Sequence, residues 1–141
     1  MPMKKTVGAI VAALVTIMLG RYLIHGLWLA SDYQAGVGTW RTPEAMMHRM
    51  YLLQLSALCV AIAAVLIYVR GVEPKPWPGQ GLRFGILLAL LTAIPNSLVQ
   101  YSVYPVHHIV ALKWIVGEGL LAIVVCLVIA AICQPTKAAG A

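Results

Sequence analysis

Four long apolar stretches, separated by short polar segments, dominate the pattern of this chain. The stretch from Met50 to Val69 contains no charged residue, and neither does the stretch from Phe84 to Leu112. A membrane-spanning helix needs about 20 mainly apolar residues, so both stretches are long enough to cross a bilayer. The pattern predicts four membrane-spanning helices, at approximately residues 7–30, 43–69, 82–104 and 109–132.

Residues typical of helix ends and of helix kinks occur at the start of the second span and within the third. Thr42 is a candidate helix cap, followed by Pro43 in the first turn and by Glu44 near the positive end of the helix dipole. Pro95 lies inside the third span and predicts a kink there. We expect an all-α membrane protein, a compact bundle of four transmembrane helices in which residues 1–141 form a single domain.

The composition agrees with this class and argues against nucleic-acid binding. Hydrophobic residues make up 62% and charged residues 10% of the 141-residue chain, whereas a soluble domain carries about 25% charged residues. The net charge is +6, but no basic run with interleaved aromatic residues is present. Basic residues of a membrane protein instead set its orientation, so we expect the lipid bilayer as a partner and no nucleic acid.

The basic residues also predict which way the bundle faces. They divide six against three between the two sides of the membrane: Lys4, Lys5, Arg70, Lys75, Arg83 and Lys137 on the N-terminal side, and Arg41, Arg49 and Lys113 on the other. Because Lys and Arg accumulate in cytoplasmic loops, this distribution favours both termini in the cytoplasm. Trp28 makes Ala30 a poor signal-peptidase site, so we expect the first span to remain uncleaved.

Two charged residues lie deep inside predicted spans, far from the span ends, and mark the candidate site. Arg21 is in span one and Glu118 is in span four. Charge within a membrane is costly, so its position points to a working site or to a structural ion pair. At about 1.5 Å per residue, Arg21 lies about 13 Å and Glu118 about 12 Å below the outer end of its span. We predict that they pair or share a hydrogen-bond network.

Other polar residues fall in the same outer half of the predicted bundle, whereas the inner halves carry almost none. Helical spacing arranges them in stripes, which we expect to face each other. The stripes are Arg21, His25, Trp28 and Asp32 in span one, Glu44, His48 and Tyr51 in span two, and Asn96, Gln100 and Tyr104 in span three. The predicted outward-facing pocket is formed by Arg21, His25, His48, Asn96, Gln100, Tyr104 and Glu118. Gly117 and Gly119 are expected to let a neighbouring helix approach Glu118 closely.

The histidines leave a redox role open. His25 and His48 lie at similar predicted depth on adjacent spans, so they are candidate ligands of a haem or of a metal ion. Met46, His48 and Met50 would suit copper(I), and the interfacial aromatic and polar residues would suit a quinone. No motif fixes a geometry for haem, quinone or copper, so none is favoured. The simpler interpretation is that interfacial histidines bond to loop backbone or water.

Catalysis finds little support, because Ser97 and Ser102 lack a nucleophile motif. We expect a non-enzymatic binding or accessory subunit whose outward pocket holds a small ligand or a segment of a membrane-protein partner, or of a second copy of the chain. One alternative is a redox membrane protein that binds haem, quinone or metal through His25 and His48. Another is a small proton-coupled transporter that uses Glu118.

Several short strings spread over most of the chain carry a family resemblance. They are His25-Gly26, Tyr33, Trp40-Arg41, Gly81-Leu82-Arg83-Phe84-Gly85 and Tyr104-Pro105. In these strings the chain resembles small bacterial four-helix integral membrane proteins that are grouped only as a domain-of-unknown-function family. The resemblance implies a multi-pass bundle in the bacterial inner membrane and supplies no activity, substrate or cofactor.

Overall fold

Four helices build the fold in the structure, a computed structural model that describes residues 2–36 and 39–134. Each is long and apolar enough to cross a membrane, and we call them spans one to four: Met3–Trp28, Met50–Gly71, Trp77–Val103 and His108–Ile132. No strand occurs in the described residues. The predicted all-α bundle of four membrane-length helices is therefore confirmed. We call the face at which span one begins and span four ends the N-terminal face, and the other the opposite face.

Span two begins at Met50, later than the sequence predicts. Thr42 does cap a helix, because its hydroxyl accepts a hydrogen bond of 3.3 Å from the backbone N–H of Ala45. That helix, Pro43–Met47, is only one turn long. Arg49 has φ −112° and ψ 7°, outside the helical region, and so separates the short helix from span two. The prediction of one helix over residues 43–69 is wrong at its first turns.

Spans one and three each contain a π-helical segment, at Tyr22–Trp28 and at Ala89–Ala93. In span one, the widened turn continues to the N–H of Leu29, which donates to the carbonyl of Ile24, five residues earlier, at 2.9 Å. In span three, the segment directly precedes Pro95. Proline lacks an N–H and crowds the preceding turn, and a π segment is one way in which a helix absorbs this disruption. The helix then continues to Val103.

Span four is the central helix. Spans one and three pack along it, whereas span two packs mainly on span one. Mostly small apolar residues fill the helix contacts in the half near the N-terminal face. The fully buried residues there include Ala9 and Ala13 of span one, Ala61, Ala64 and Val65 of span two, and Cys126, Ile129 and Ala130 of span four. Small side chains let membrane helices approach closely, which increases their van der Waals contact.

Glycines set the closest approaches to span four. A Cβ added to Gly85 of span three would lie 2.6 Å from the Cα of Ile123, so no larger residue fits there. A Cβ added to Gly117 would lie 3.0 Å from a methyl carbon of Ile24, which fits the predicted close approach of span one. An added Cβ at Gly119 would have nothing within 4 Å. The close approach expected at Gly119 is therefore wrong, because that position faces open space.

Candidate functional site

A chain of hydrogen bonds links span one to span four in the half of the bundle near the opposite face. The Nε2 atom of His25 lies 2.8 Å from Oε1 of Glu118, and the Nδ1 atom lies 2.6 Å from the hydroxyl oxygen of Tyr33. The indole N–H of Trp114 donates to the same hydroxyl oxygen at 2.8 Å. We call Glu118, His25, Tyr33 and Trp114 the polar chain.

The donors and acceptors of the polar chain match one proton arrangement. An indole N–H only donates and a carboxylate only accepts, so the Tyr33 oxygen accepts from Trp114 and Nε2 of His25 donates to Glu118. In the His25 tautomer with its proton on Nε2, the Nδ1 atom accepts the proton of the Tyr33 hydroxyl. This arrangement satisfies each of these groups.

Arg21 contributes a more distant charge to the same carboxylate. Its Nε lies 3.9 Å from Oε2 of Glu118, and the two side chains are 32% and 22% exposed. This distance is too long for a hydrogen bond, so the contact is electrostatic. The structure thus brings Arg21 and Glu118 into a shared network, as the sequence suggests, but His25 is the closer partner of the carboxylate.

A second ion pair lies next to the polar chain, toward the opposite face. The Nζ atom of Lys113 lies 2.6 Å from Oδ2 of Asp32, and it also lies 5.8 Å from the ring centre of Trp28. This pair attaches the short helix Ala30–Ala35 to span four. Arg21, His25, Trp28 and Asp32 therefore all face span four, so the stripe predicted for span one is present.

Aromatic rings cover the polar chain on the side of the opposite face. The ring of Trp40 lies 5.2 Å from that of Tyr33 and 6.0 Å from that of Trp114, both edge-on. Tyr104 adds a ring 6.0 Å from Trp40. Burial raises the pKa of the Tyr33 hydroxyl; the hydrogen bond from Trp114 opposes this rise, and the negative charges of Glu118 and Asp32 add to it.

The other predicted pocket residues do not join the polar chain. The side chains of His48, Asn96 and Tyr104 are exposed and that of Gln100 is half-buried. His48 directly follows the one-turn helix before span two, and Tyr104 reaches only the edge of the aromatic group. The expectation that the stripes of spans two and three face the stripe of span one is not met, because spacing defines a helical face but not the direction in which it points.

The donor set does not fit a haem or copper site at the predicted positions. Both ring nitrogens of His25 already have partners, so an iron or copper ion at Nδ1 would have to displace the Tyr33 hydroxyl. Met46 and Met50 lie on either side of the helix break at Arg49 and do not share one helical face. Among the residues that the structure describes, no group of three or more His, Cys, Asp or Glu side chains is placed to hold a metal ion.

Sequence reasoning missed Tyr33, Trp114 and Lys113 as parts of this site. Trp114 precedes Glu118 by one helical turn, so the spacing contains a signal that it shares the carboxylate's face. Tyr33 offers no such signal, because the π-helical segment and the break at Leu29 separate it from His25.

No protein-family model, curated protein or solved structure matches this chain. The resemblance to small bacterial four-helix membrane proteins therefore stays a prediction.

Proposed function

We propose that the protein is a non-enzymatic accessory subunit of a complex in the bacterial inner membrane, and that span three binds a transmembrane helix of its partner. The observation that carries this proposal is the position of Asn96. Its side chain is exposed and forms no hydrogen bond within the described residues. It lies about 10 Å along the helix from Val103, at about 1.5 Å per residue, which is well inside a membrane-spanning segment.

An amide that faces hydrocarbon has lost its hydrogen bonds to water and gains from any partner that restores them. Gln100 and Tyr104 follow Asn96 at intervals of one turn, and we call these three residues the amide stripe. Thr92, one turn in the other direction, is also exposed, but its hydroxyl donates to the carbonyl of Leu88 at 2.7 Å. On this face of span three, the need for an external hydrogen-bonding partner is thus concentrated in the amide stripe.

The polar chain has a supporting role in this proposal. Glu118, His25, Tyr33 and Trp114 hydrogen-bond to one another in the part of the bundle in which the sequence predicts a pocket. They hold span one against span four and leave the amide stripe on the outside of the bundle. This favours a partner helix over a small ligand held between the spans.

Two alternatives have weaker support. A proton-coupled transporter would need a path beyond Glu118, but toward the N-terminal face the core is apolar, with Ile17, Val125 and Ile129 among its buried residues. A redox role would need one nitrogen of His25 to leave its present partner. Haem, quinone and copper remain candidates that a mass measurement on the purified protein can test.

The proposed orientation, with both termini in the cytoplasm, is supported by the basic residues of the described segments. Five lie toward the N-terminal face and three toward the opposite face: Lys4, Lys5, Arg70, Lys75 and Arg83 against Arg41, Arg49 and Lys113. The predicted contribution of Lys137 lies outside the described residues. A cytoplasmic location of the more basic face follows the positive-inside rule.

The test is native mass spectrometry of the protein extracted with a mild detergent, comparing wild type with Asn96→Leu. We expect the wild-type chain in a complex, whose mass identifies either a second copy or another protein. Asn96→Leu should lower the association constant of the complex about fivefold, which corresponds to about 1 kcal/mol for one hydrogen bond between membrane helices. Thr92→Val is the matched control, because its hydroxyl is already satisfied.

The proposal fails if wild-type protein is a single chain under these conditions, or if Asn96→Leu and Thr92→Val leave the complex equally intact. Additional mass equal to a haem, a quinone or a metal ion would favour the redox alternative. His25→Ala would then be expected to remove that mass.

A further inference from the structure

A cavity of about 300 Å³ lies between spans two and three at the N-terminal face. Its walls are apolar and come from both spans: Ile67 and Tyr68 on one side, Phe84 and Leu87 on the other. Ile67 and Leu87 are also exposed on the outer surface of the bundle, where lipid chains would lie. The cavity therefore continues onto the membrane-facing surface.

Two aromatic rings form part of the wall of this cavity. The side chain of Tyr68 is only 4% exposed, and its ring lies 5.5 Å from that of Phe84 across the gap between the spans. The Tyr68 hydroxyl is closed off from solvent and has no hydrogen-bond partner within the described residues. The cavity therefore offers its occupant apolar rings and not this hydroxyl.

The polar rim of the cavity is held by Gln80. Its side-chain oxygen accepts from the N–H of Glu73 at 2.8 Å, and its amide nitrogen donates to the carbonyls of Glu73 and Lys75 at 2.9 and 2.8 Å. The Lys75 ammonium pairs with the Glu73 carboxylate. Arg83 lines the same rim and has no ion pair within 4 Å among the described residues. Lys75 and Arg83 together outweigh the single Glu73 carboxylate, so the rim carries a net positive charge.

The surroundings of the cavity favour an anion. The basic residues near this face in the described segments are Lys4, Lys5, Arg70, Lys75 and Arg83, and the acid near it is Glu73. The other three of the chain's four acidic residues, Asp32, Glu44 and Glu118, lie toward the opposite face. Basic residues close to a membrane surface attract anionic headgroups.

We propose that this cavity binds the phosphate group of an anionic phospholipid. The Arg83 guanidinium pairs with the phosphate, because its planar set of N–H donors matches phosphate oxygens. The rings of Tyr68 and Phe84 pack against the apolar part of the lipid. One acyl chain lies along Ile67 and Leu87. The site is independent of the partner helix proposed for the amide stripe, which lies toward the opposite face.

The experiment is a titration of the full chain in detergent with phosphatidylglycerol, followed by native mass spectrometry. Phosphatidylcholine with the same acyl chains and inorganic phosphate are titrated in parallel. We expect wild type to bind phosphatidylglycerol, and Arg83→Gln to weaken this binding about tenfold, which corresponds to about 1.4 kcal/mol. Arg70→Gln is the matched control, because Arg70 lies near the same face, does not line the cavity and donates to the carbonyl of Leu66.

Tyr68→Phe is a second control. The hydroxyl that it removes is closed off from solvent and has no partner within the described residues, so this variant should bind phosphatidylglycerol as strongly as wild type does. Much weaker binding would contradict a site formed by Arg83 and the cavity walls.

Three further outcomes would overturn the lipid site. The first is equal binding of phosphatidylglycerol to wild type and Arg83→Gln. The second is equal loss of binding in Arg83→Gln and Arg70→Gln, which would indicate only the general charge of the face. The third is binding of inorganic phosphate as strong as that of the lipid, which would identify a site for free phosphate.

Discussion

The ring of His25 donates its Nε2–H to the carboxylate of Glu118 across 2.8 Å, and this bond joins spans one and four within the membrane-length part of the bundle. The Glu118 carboxylate is thereby held by the His25 ring, whose Nδ1 atom is itself hydrogen-bonded to the Tyr33 hydroxyl. A hydrogen bond that involves a charged group contributes about 1.5–3 kcal/mol. The His25–Glu118 bond is therefore a principal constraint on how these two spans meet.

We expect the coupling between His25 and Glu118 to exceed that between Arg21 and Glu118. The first pair is hydrogen-bonded, whereas the second is separated by 3.9 Å and partly exposed. Double-mutant cycles with alanine at each position should give about 1.5–3 kcal/mol for the His25 pair and less than about 1 kcal/mol for the Arg21 pair. The measurement is the free energy of unfolding in mixed detergent micelles. Equal couplings would show that Arg21 is a full partner of the carboxylate.

Removing the Tyr33 hydroxyl should destabilise the protein. Tyr33→Phe leaves the indole N–H of Trp114 and the Nδ1 atom of His25 without their shared partner. One buried group left unsatisfied costs about 1–3 kcal/mol. Trp114 is buried whereas water can reach the partly exposed His25, so we predict a loss in this range. Tyr51→Phe is the control, because Tyr51 is 65% exposed and should change stability by less than about 0.5 kcal/mol. Unfolding curves of both variants test this, and equal stabilities would argue against the hydrogen bonds of the polar chain.

The Tyr33 hydroxyl should ionise at a higher pH than an ordinary tyrosine, because burial raises its pKa. The folded protein then holds this proton more tightly than the unfolded chain, in which a tyrosine titrates near about pH 10. The contribution of Tyr33 to stability is therefore fully present below about pH 10 and is lost as the pH rises through the folded-state pKa. The tyrosinate absorbance of wild type minus that of Tyr33→Phe should show one late titration. A midpoint at or below the ordinary value would contradict the burial of this hydroxyl.

Hydropathy predicted the ends of a span well where the length of the apolar stretch alone determines them. Span four was expected over residues 109–132 and is found at His108–Ile132. The start of span two was missed, because the cap at Thr42 shows where a helix begins but not that it ends at Met47. That end depends on the backbone of Arg49, for which the sequence pattern gives no signal.

The candidate site was predictable where residues four positions apart do lie on the same helical face in the structure. Arg21 and His25 both reach Glu118, because a spacing of four residues keeps them on one face of span one. Spacing also places Asn96 and Gln100 on one face, but it does not determine that this face points outward. Span three is rotated so that Gly85 lies against span four, and this rotation determines which of its faces is buried. The rotation depends on contacts between helices, which spacing within one helix does not reveal.

Glycine positions along the bundle give a final prediction, in which two similar substitutions have opposite outcomes. Gly85→Ala should destabilise the protein by about 1–3 kcal/mol, the usual range for overpacking, because its Cβ would lie 2.6 Å from the backbone of Ile123. Gly119→Ala should be neutral or stabilising by up to about 1 kcal/mol, because alanine favours helix and nothing lies within 4 Å of the new Cβ. Unfolding measurements on the two variants test this rotation of span three against span four. If Gly119→Ala were destabilised and Gly85→Ala were unaffected, spans three and four would contact each other through other faces than those in the structure.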